Sequence, residues 1–249
     1  MREGMHRFIL AWQLLTVNPI KQISWNDDDL GESMLFFPLI GFLIGCILFI
    51  ADRILAPLLP HSLVNLMLLL LLTILTGGLH LDGFADTVDG LAGGTDREEV
   101  LGIMKDGRVG AFAVIALIFL FGIKLLALEN LSDGIKGKAL LLSPALGRWA
   151  MVMVAAVSKA ARLEGGLGRP YLEHIGPMTL SLASVICSGI ALALFHWKGL
   201  MLMATVGSGV LVLLAYIHRR IGGITGDVLG AVNEVGEAFT LLLIIGIIR

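Results

Sequence analysis

The stretch SLVNLMLLLLLTILTGGLHLDGFADTVDG, residues 62–90, changes character at its middle. From Ser62 to Leu79 it carries no charge, and such a run is close to the roughly 20 apolar residues needed to cross about 30 Å of hydrocarbon. Three aspartates, Asp82, Asp86 and Asp89, follow at once. A membrane span delivering an acidic segment to its own end is the pattern on which the whole chain is read.

Comparable runs lie on both sides of this stretch. Ser33 to Ala51, Met178 to Phe195 and Gly199 to Ile217 are uncharged, Ala111 to Leu128 carries only Lys124, and Ala139 to Val157 carries only Arg148. Lys124 lies near the end of its run, where a long side chain is expected to reach the interface. The last run, Ala238 to Ile248, has 11 residues, so it spans only if its helix begins near Val228 and takes in Glu234 and Glu237. The expectation is seven spans in one all-α, polytopic membrane bundle covering residues 1–249.

Composition agrees. Of 249 residues 57% are hydrophobic and 15% charged, against about 25% charged in soluble domains, which excludes a water-soluble globule. A formal charge of -2 excludes a nucleic-acid partner, which calls for a basic stripe; the partner implied is the lipid bilayer. Cys46 and Cys187 sit in apolar runs and read as reduced core thiols. The opening MREGMHRFILAWQLLTV is too interrupted for a signal peptide and reads as an interfacial helix. Gly41 and Gly45, one turn apart, read as a close helix-packing surface; His61, His174, His196 and His218, near run ends, read as interfacial.

Orientation follows from Lys and Arg, which concentrate on the cytoplasmic side. With the N-terminus inside, the inner segments hold Arg2, Arg7, Lys21, Arg97, Lys105, Arg108, Lys159, Arg162, Arg169, Arg219 and Arg220, eleven residues. The outer ones hold Arg53, Lys124, Lys136, Lys138, Lys198 and Arg249, six residues. The polar segments 80–110, 158–177 and 218–236 then share the cytoplasmic face. Two of them contain a faint echo, Gly-Gly-x-x-x-Asp at 77–82 and again at 222–227.

The segment from Gly77 to Gly110 holds seven of the twenty acidic residues. On a helix, Asp82, Asp86 and Asp89 fall within a narrow sector of one face. Their repulsion is tolerable if the face is fully wetted or if cations sit on it, and hard carboxylate oxygens suit Mg²⁺ or Mn²⁺. Lys105, Asp106 and Arg108 follow, and cations beside a carboxylate-metal cluster suit a phosphate or diphosphate substrate. In GGITGDVLGAVNEVGEAF (222–239) Asp227 and Glu234 share a helical face, with Glu237 three residues on. A carboxylate inside the membrane boundary is a functional candidate by default. Arg148 needs a partner, for which Glu234, Glu237, an aspartate of the triplet or a substrate phosphate all qualify. His80, beside Asp82, is the one histidine worth testing.

The strings FFPLIG (36–41), GGLHLDGFADTVDG (77–90), IMKDGRVGAF (103–112), PALGRWA (144–150) and GGITGDVLGAVNEVGE (222–237) make the chain resemble cobalamin synthase, the adenosylcobinamide-GDP ribazoletransferase family. The resemblance implies a multi-pass enzyme of the prokaryotic cytoplasmic membrane that uses Mg²⁺. Its substrates would be adenosylcobinamide-GDP and α-ribazole or α-ribazole 5′-phosphate, condensed to adenosylcobalamin or its 5′-phosphate with release of GMP. A homo-oligomer is compatible with it. The resemblance points to Asp82, Asp86 and Asp89 as a catalytic and metal-binding signature and to Asp227 and Glu234 as members of a second. His80, Lys105, Asp106, Arg108, Arg148 and Thr225 are the substrate-binding candidates. The base stays open among Asp227, Glu234 and His80. A weaker likeness to CDP-alcohol phosphotransferases rests on Asp86, Asp89, Gly90, Gly102 and Asp106, but Gly110 stands where their final aspartate is expected. A cation-coupled secondary transporter is the rival from another class, because intramembrane acids also mark transport paths.

Overall fold

The computed structural model describes residues 2–17, 26–161, 171–172 and 174–248. Lys21, Arg162, Arg169 and Arg249, counted above for orientation, lie outside them. Among the described residues there is no β-strand, only one isolated bridge between Ala160 and Ile224. The helices are α1 (Arg2–Leu15), α2 (Asp27–Ser33), α3 (Phe37–Leu55), α4 (His61–Thr76), α5 (Leu79–Gly93), α6 (Arg97–Ile103), α7 (Ala111–Glu129), α8 (Asp133–Val157), α9 (Pro177–Phe195), α10 (Trp197–Ile221) and α11 (Gly226–Ile248).

Six stretches are long and apolar enough to cross a membrane: α3 together with the turn and α2 before it, and α7 to α11; α4 with α5 makes a seventh if the bent pair counts as one. The sequence expected a straight span from Ser62 to Leu79. Instead the chain turns by 92° between α4 and α5. The cause is Gly77 and Gly78, with φ of +61° and +69°, a backbone region that an L side chain rarely enters. With 16 residues, α4 is about 24 Å long. The last helix begins at Gly226, close to the expected start, and does carry Glu234 and Glu237 into the bundle.

The central helix is α8, packed against α3, α9, α10 and α11 and buried along most of its length. Its approach to α3 is as close as Gly41 and Gly45 promised: a Cβ on Gly41 would lie 2.3 Å from the Pro144 carbonyl oxygen, and one on Gly45 2.5 Å from that of Leu140. Small residues let membrane helices meet backbone to backbone, where packing rather than water exclusion holds them. Cys46 and Cys187 are free thiols.

Two lysines depart from the expected pattern. Lys124 does not reach an interface; it is 3% exposed and bonded to two glutamates. Lys136, counted with an outer loop, is buried and sits 2.6 Å from Asp52. In each case a carboxylate on a neighbouring helix outcompetes the route to the surface.

The three polar segments do meet at one end of the bundle. Ala161 N–H donates to the Ile224 carbonyl at 2.8 Å, and Ile224 N–H to that of Lys159 at 2.9 Å. The Arg97 guanidinium donates to the carbonyls of Ile221 at 2.9 Å and Ala161 at 2.6 Å, and Arg220 donates to Gly94 O at 2.6 Å.

Candidate active site

The two Gly-Gly-x-x-x-Asp strings occupy equivalent places. Each begins with a glycine in the left-handed region, Gly77 and Gly222, that ends a long helix, and each leads into the first turns of another, α5 or α11. Helices that leave such turns side by side can approach closely if small residues face each other. Here a Cβ on Gly83 would lie 2.7 Å from the Asp227 carbonyl oxygen, and one on Gly230 would lie 3.0 Å from that of His80.

The result is a cavity of about 300 Å³ at the joint. Leu79, His80, Asp82 and Gly83 of α5 line one part, and Gly226, Asp227, Leu229 and Gly230 of α11 another. Leu14 and Leu15 of α1, Met34, Phe37, Met151 and Tyr171 complete it. Asp82 is exposed, Asp227 partly so, and His80 is only 2% exposed. Neither ring nitrogen of His80 meets a partner among the described residues. Thr225 caps α11: its hydroxyl accepts the Val228 N–H at 3.3 Å and donates to Asp227 Oδ2 at 3.1 Å.

The aspartate triplet shares a helix face as expected but not an environment. Asp86 is half-buried one turn beyond Asp82, and Asp89 is buried and otherwise employed. Its two oxygens accept the N–H groups of Gly110 at 2.5 Å and Ala113 at 2.8 Å, which caps the first turn of α7. A Cβ on Gly110 would lie 2.7 Å from Asp89 Oδ1, which accounts for glycine where the CDP-alcohol enzymes place an acid. Lys105, Asp106 and Arg108 are exposed in the loop before α7, and none lines the cavity. Arg108 is paired with Asp106, and this hydrogen bond holds the Asp106 carboxyl below its usual range.

Glu234 and Arg148 lie deeper, inside the bundle. Lys124 Nζ sits 2.6 Å from Glu234 and 2.7 Å from Glu237, and Arg148 is paired with Glu237. Asn233 donates to both glutamates at 3.3 and 3.2 Å. Of the partners open to Arg148, the structure selects Glu237. Two cations and two anions balance, which is what an ionic cluster shielded from water requires. Lys124 is the member that the sequence did not place, although a lysine within an otherwise uncharged span was its signal. The apolar wall from α1, Phe37, Met151 and Tyr171 was also missed, because nothing local distinguishes these residues from core.

Among the described residues no three His, Cys, Asp or Glu side chains converge on a single point. Asp82 and Asp227 on one cavity still fit Mg²⁺, which is commonly bound by one or two carboxylates together with substrate phosphates.

The model of the cobalamin-5-phosphate synthase family matches residues 7–245. The chain belongs to this family. Among its relatives are proteins named adenosylcobinamide-GDP ribazoletransferase from Caldanaerobacter subterraneus subsp. tengcongensis, 38% identical over 96% of this chain and 98% of the relative, and from Geotalea daltonii, 36% identical over 96% and 97%. The like-named protein of Syntrophobacter fumaroxidans is 39% identical over 86% of each chain. No solved structure matches.

Proposed function

We propose that this chain condenses adenosylcobinamide-GDP with α-ribazole, or its 5′-phosphate, to adenosylcobalamin, or its 5′-phosphate, and GMP. The observation that carries the reading beyond family membership is the delivery of Asp82 and Asp227 to one cavity by two helices packed at their first turns.

In this reaction a ribose hydroxyl oxygen bonds to the phosphorus nearest the cobinamide. The bridging P–O bond to the guanylyl phosphate breaks, GMP leaves with the bridging oxygen, and the hydroxyl proton passes to an acceptor. Mg²⁺, held by Asp82 and Asp227 with Asp86 about 6 Å further along the helix axis, would supply charge neutralisation for the diphosphate. The N-terminal turns of α5 and α11 add their partial positive charge, a role for which the sequence offers Lys105 and Arg108. Asp227 and His80 remain as proton acceptors because they line the cavity, whereas the Glu234 oxygens are engaged by Lys124 and Asn233.

The proposed orientation puts the N-terminus and this cavity on the cytoplasmic side of a bacterial inner membrane. The bent pair α4–α5 and the buried acids Glu234 and Glu237 are the features that favour a cation-coupled transporter, whose sites often lie in broken helices. Purified protein in detergent, given Mg²⁺ and both substrates, is expected to release GMP without any sealed compartment. Asp82→Asn should abolish that release while the protein still inserts and purifies. Ion transport without GMP release would replace this reading by the transporter, and normal turnover of Asp82→Asn would remove the cavity from the chemistry.

A further inference from the structure

The cavity has two unlike walls. Its acids and helix N-termini come from α5 and α11, which add Leu79 and Leu229, whereas Leu14, Leu15, Met34, Phe37, Met151 and Tyr171 supply only aliphatic, thioether and aromatic side chains. Phe37 and Tyr171 stand with ring centroids 6.4 Å apart at 50°, a spacing usual for interacting aromatic rings. Leu15, Met34 and Phe37 are essentially fully buried and form the backing of this wall, while Leu14, the least buried of the six, presents its side chain to the cavity.

At about 300 Å³ the cavity lies at the lower bound of small-molecule pockets, which run from roughly 300 to 1,000 Å³. A single nucleoside is the right size for it. A corrinoid carrying a guanosine diphosphate, several times larger, has to remain outside with only its diphosphate at the acidic mouth. An apolar aromatic base joined to a sugar with hydroxyl groups matches the apolar wall at one end and Asp82, Asp227 and His80 at the other.

We infer that this cavity is a preformed subsite for the α-ribazole substrate, with the benzimidazole base against Phe37, Tyr171, Met151 and the α1 leucines and the ribose toward Asp82 and Asp227. The inference rests on the proposed function and adds which substrate the cavity takes. It makes α1 part of the substrate site. The subsite requires neither the corrinoid nor Mg²⁺.

Two measurements on the full-length protein in detergent test it. By calorimetry, wild-type protein should bind α-ribazole with no corrinoid and no Mg²⁺ present. In steady-state kinetics Leu14→Trp, which places a bulky side chain on the least buried part of the apolar wall, should raise the KM for α-ribazole by about tenfold or more and leave that for adenosylcobinamide-GDP within about twofold. An active protein that binds no α-ribazole alone overturns the subsite and leaves the reaction standing. So does a variant whose KM rises for the corrinoid substrate, for both substrates, or for neither. A protein that binds α-ribazole but releases no GMP would sink the proposed reaction and keep the subsite.

Discussion

Gly83 of α5 rests directly on the backbone of Asp227 in α11, so close that a Cβ would meet the Asp227 Cα at 2.9 Å and its carbonyl oxygen at 2.7 Å. This contact sets how far Asp82, the residue before Gly83, stands from Asp227. Gly83→Ala should therefore separate the two helices by a fraction of an ångström to an ångström, and displacements of that size at reacting centres cost about 100-fold in rate. Gly102→Ala is the control, because its Cβ would meet nothing within 4 Å in an exposed helix. Turnover of the purified variants checks the pair; wild-type kcat in Gly83→Ala would show that the helix approach does not set the geometry.

Asp89 and Asp82 should differ in kind. Removing the Asp89 carboxylate takes the cap from α7, worth about 0.5–2 kcal/mol, so Asp89→Ala should melt at a lower temperature. Its half-saturating Mg²⁺ concentration should equal that of the wild type. A shift in that concentration would return Asp89 to the metal site.

The buried ion cluster should punish single changes. Glu237→Gln leaves Arg148 and Lys124 short of countercharge in a site shielded from water, and breaking one partner of such a pair costs about 3–5 kcal/mol. Thermal unfolding in detergent should show a large fall. Lys124→Met combined with Glu234→Gln, which removes one charge of each sign, should cost less than the sum of the two single changes. Strict additivity would mean that the cluster is not energetically coupled.

Arg97 ties the polar segments together through carbonyls on two of them. Hydrogen bonds from a charged donor are worth about 1.5–3 kcal/mol each. In Arg97→Ala, hydrogen exchange should accelerate at residues 158–161 and 221–225 while the core of α8 stays protected. Unchanged exchange there would show that the backbone pairing of Ala161 with Ile224 suffices alone.

The helical bundle was legible because hydropathy is a property of consecutive residues: each apolar run became a helix, Ser62–Leu79 only as far as Thr76, and the need of the short C-terminal run for Glu234 and Glu237 was visible from its length. The alignment of Asp82, Asp86 and Asp89 on one face was legible for the same reason. What one side chain does with another across helices was not. Asp89 looks like its two neighbours until the first turn of α7 is set against it. Lys124 looks like an anchor until α11 brings Glu234 and Glu237 alongside. Arg148 announced that a partner was needed, yet only packing could choose Glu237. The Gly77–Gly78 pair carries its own signal of a turn, but the long apolar run around it conceals that signal.

The charge balance between α7, α8 and α11 bears on how the protein is made. A lone arginine at the centre of a span opposes membrane insertion by about 2.5–3.5 kcal/mol, and the countercharge for Arg148 sits on α11, which is synthesised after α9 and α10. While α9 and α10 are being synthesised, Arg148 lacks the partner that it has in the folded bundle. A nascent chain cut short before Gly226 lacks Glu237 and leaves Arg148 without that countercharge, so α11 completes the charge balance of the bundle as well as forming a wall of the cavity.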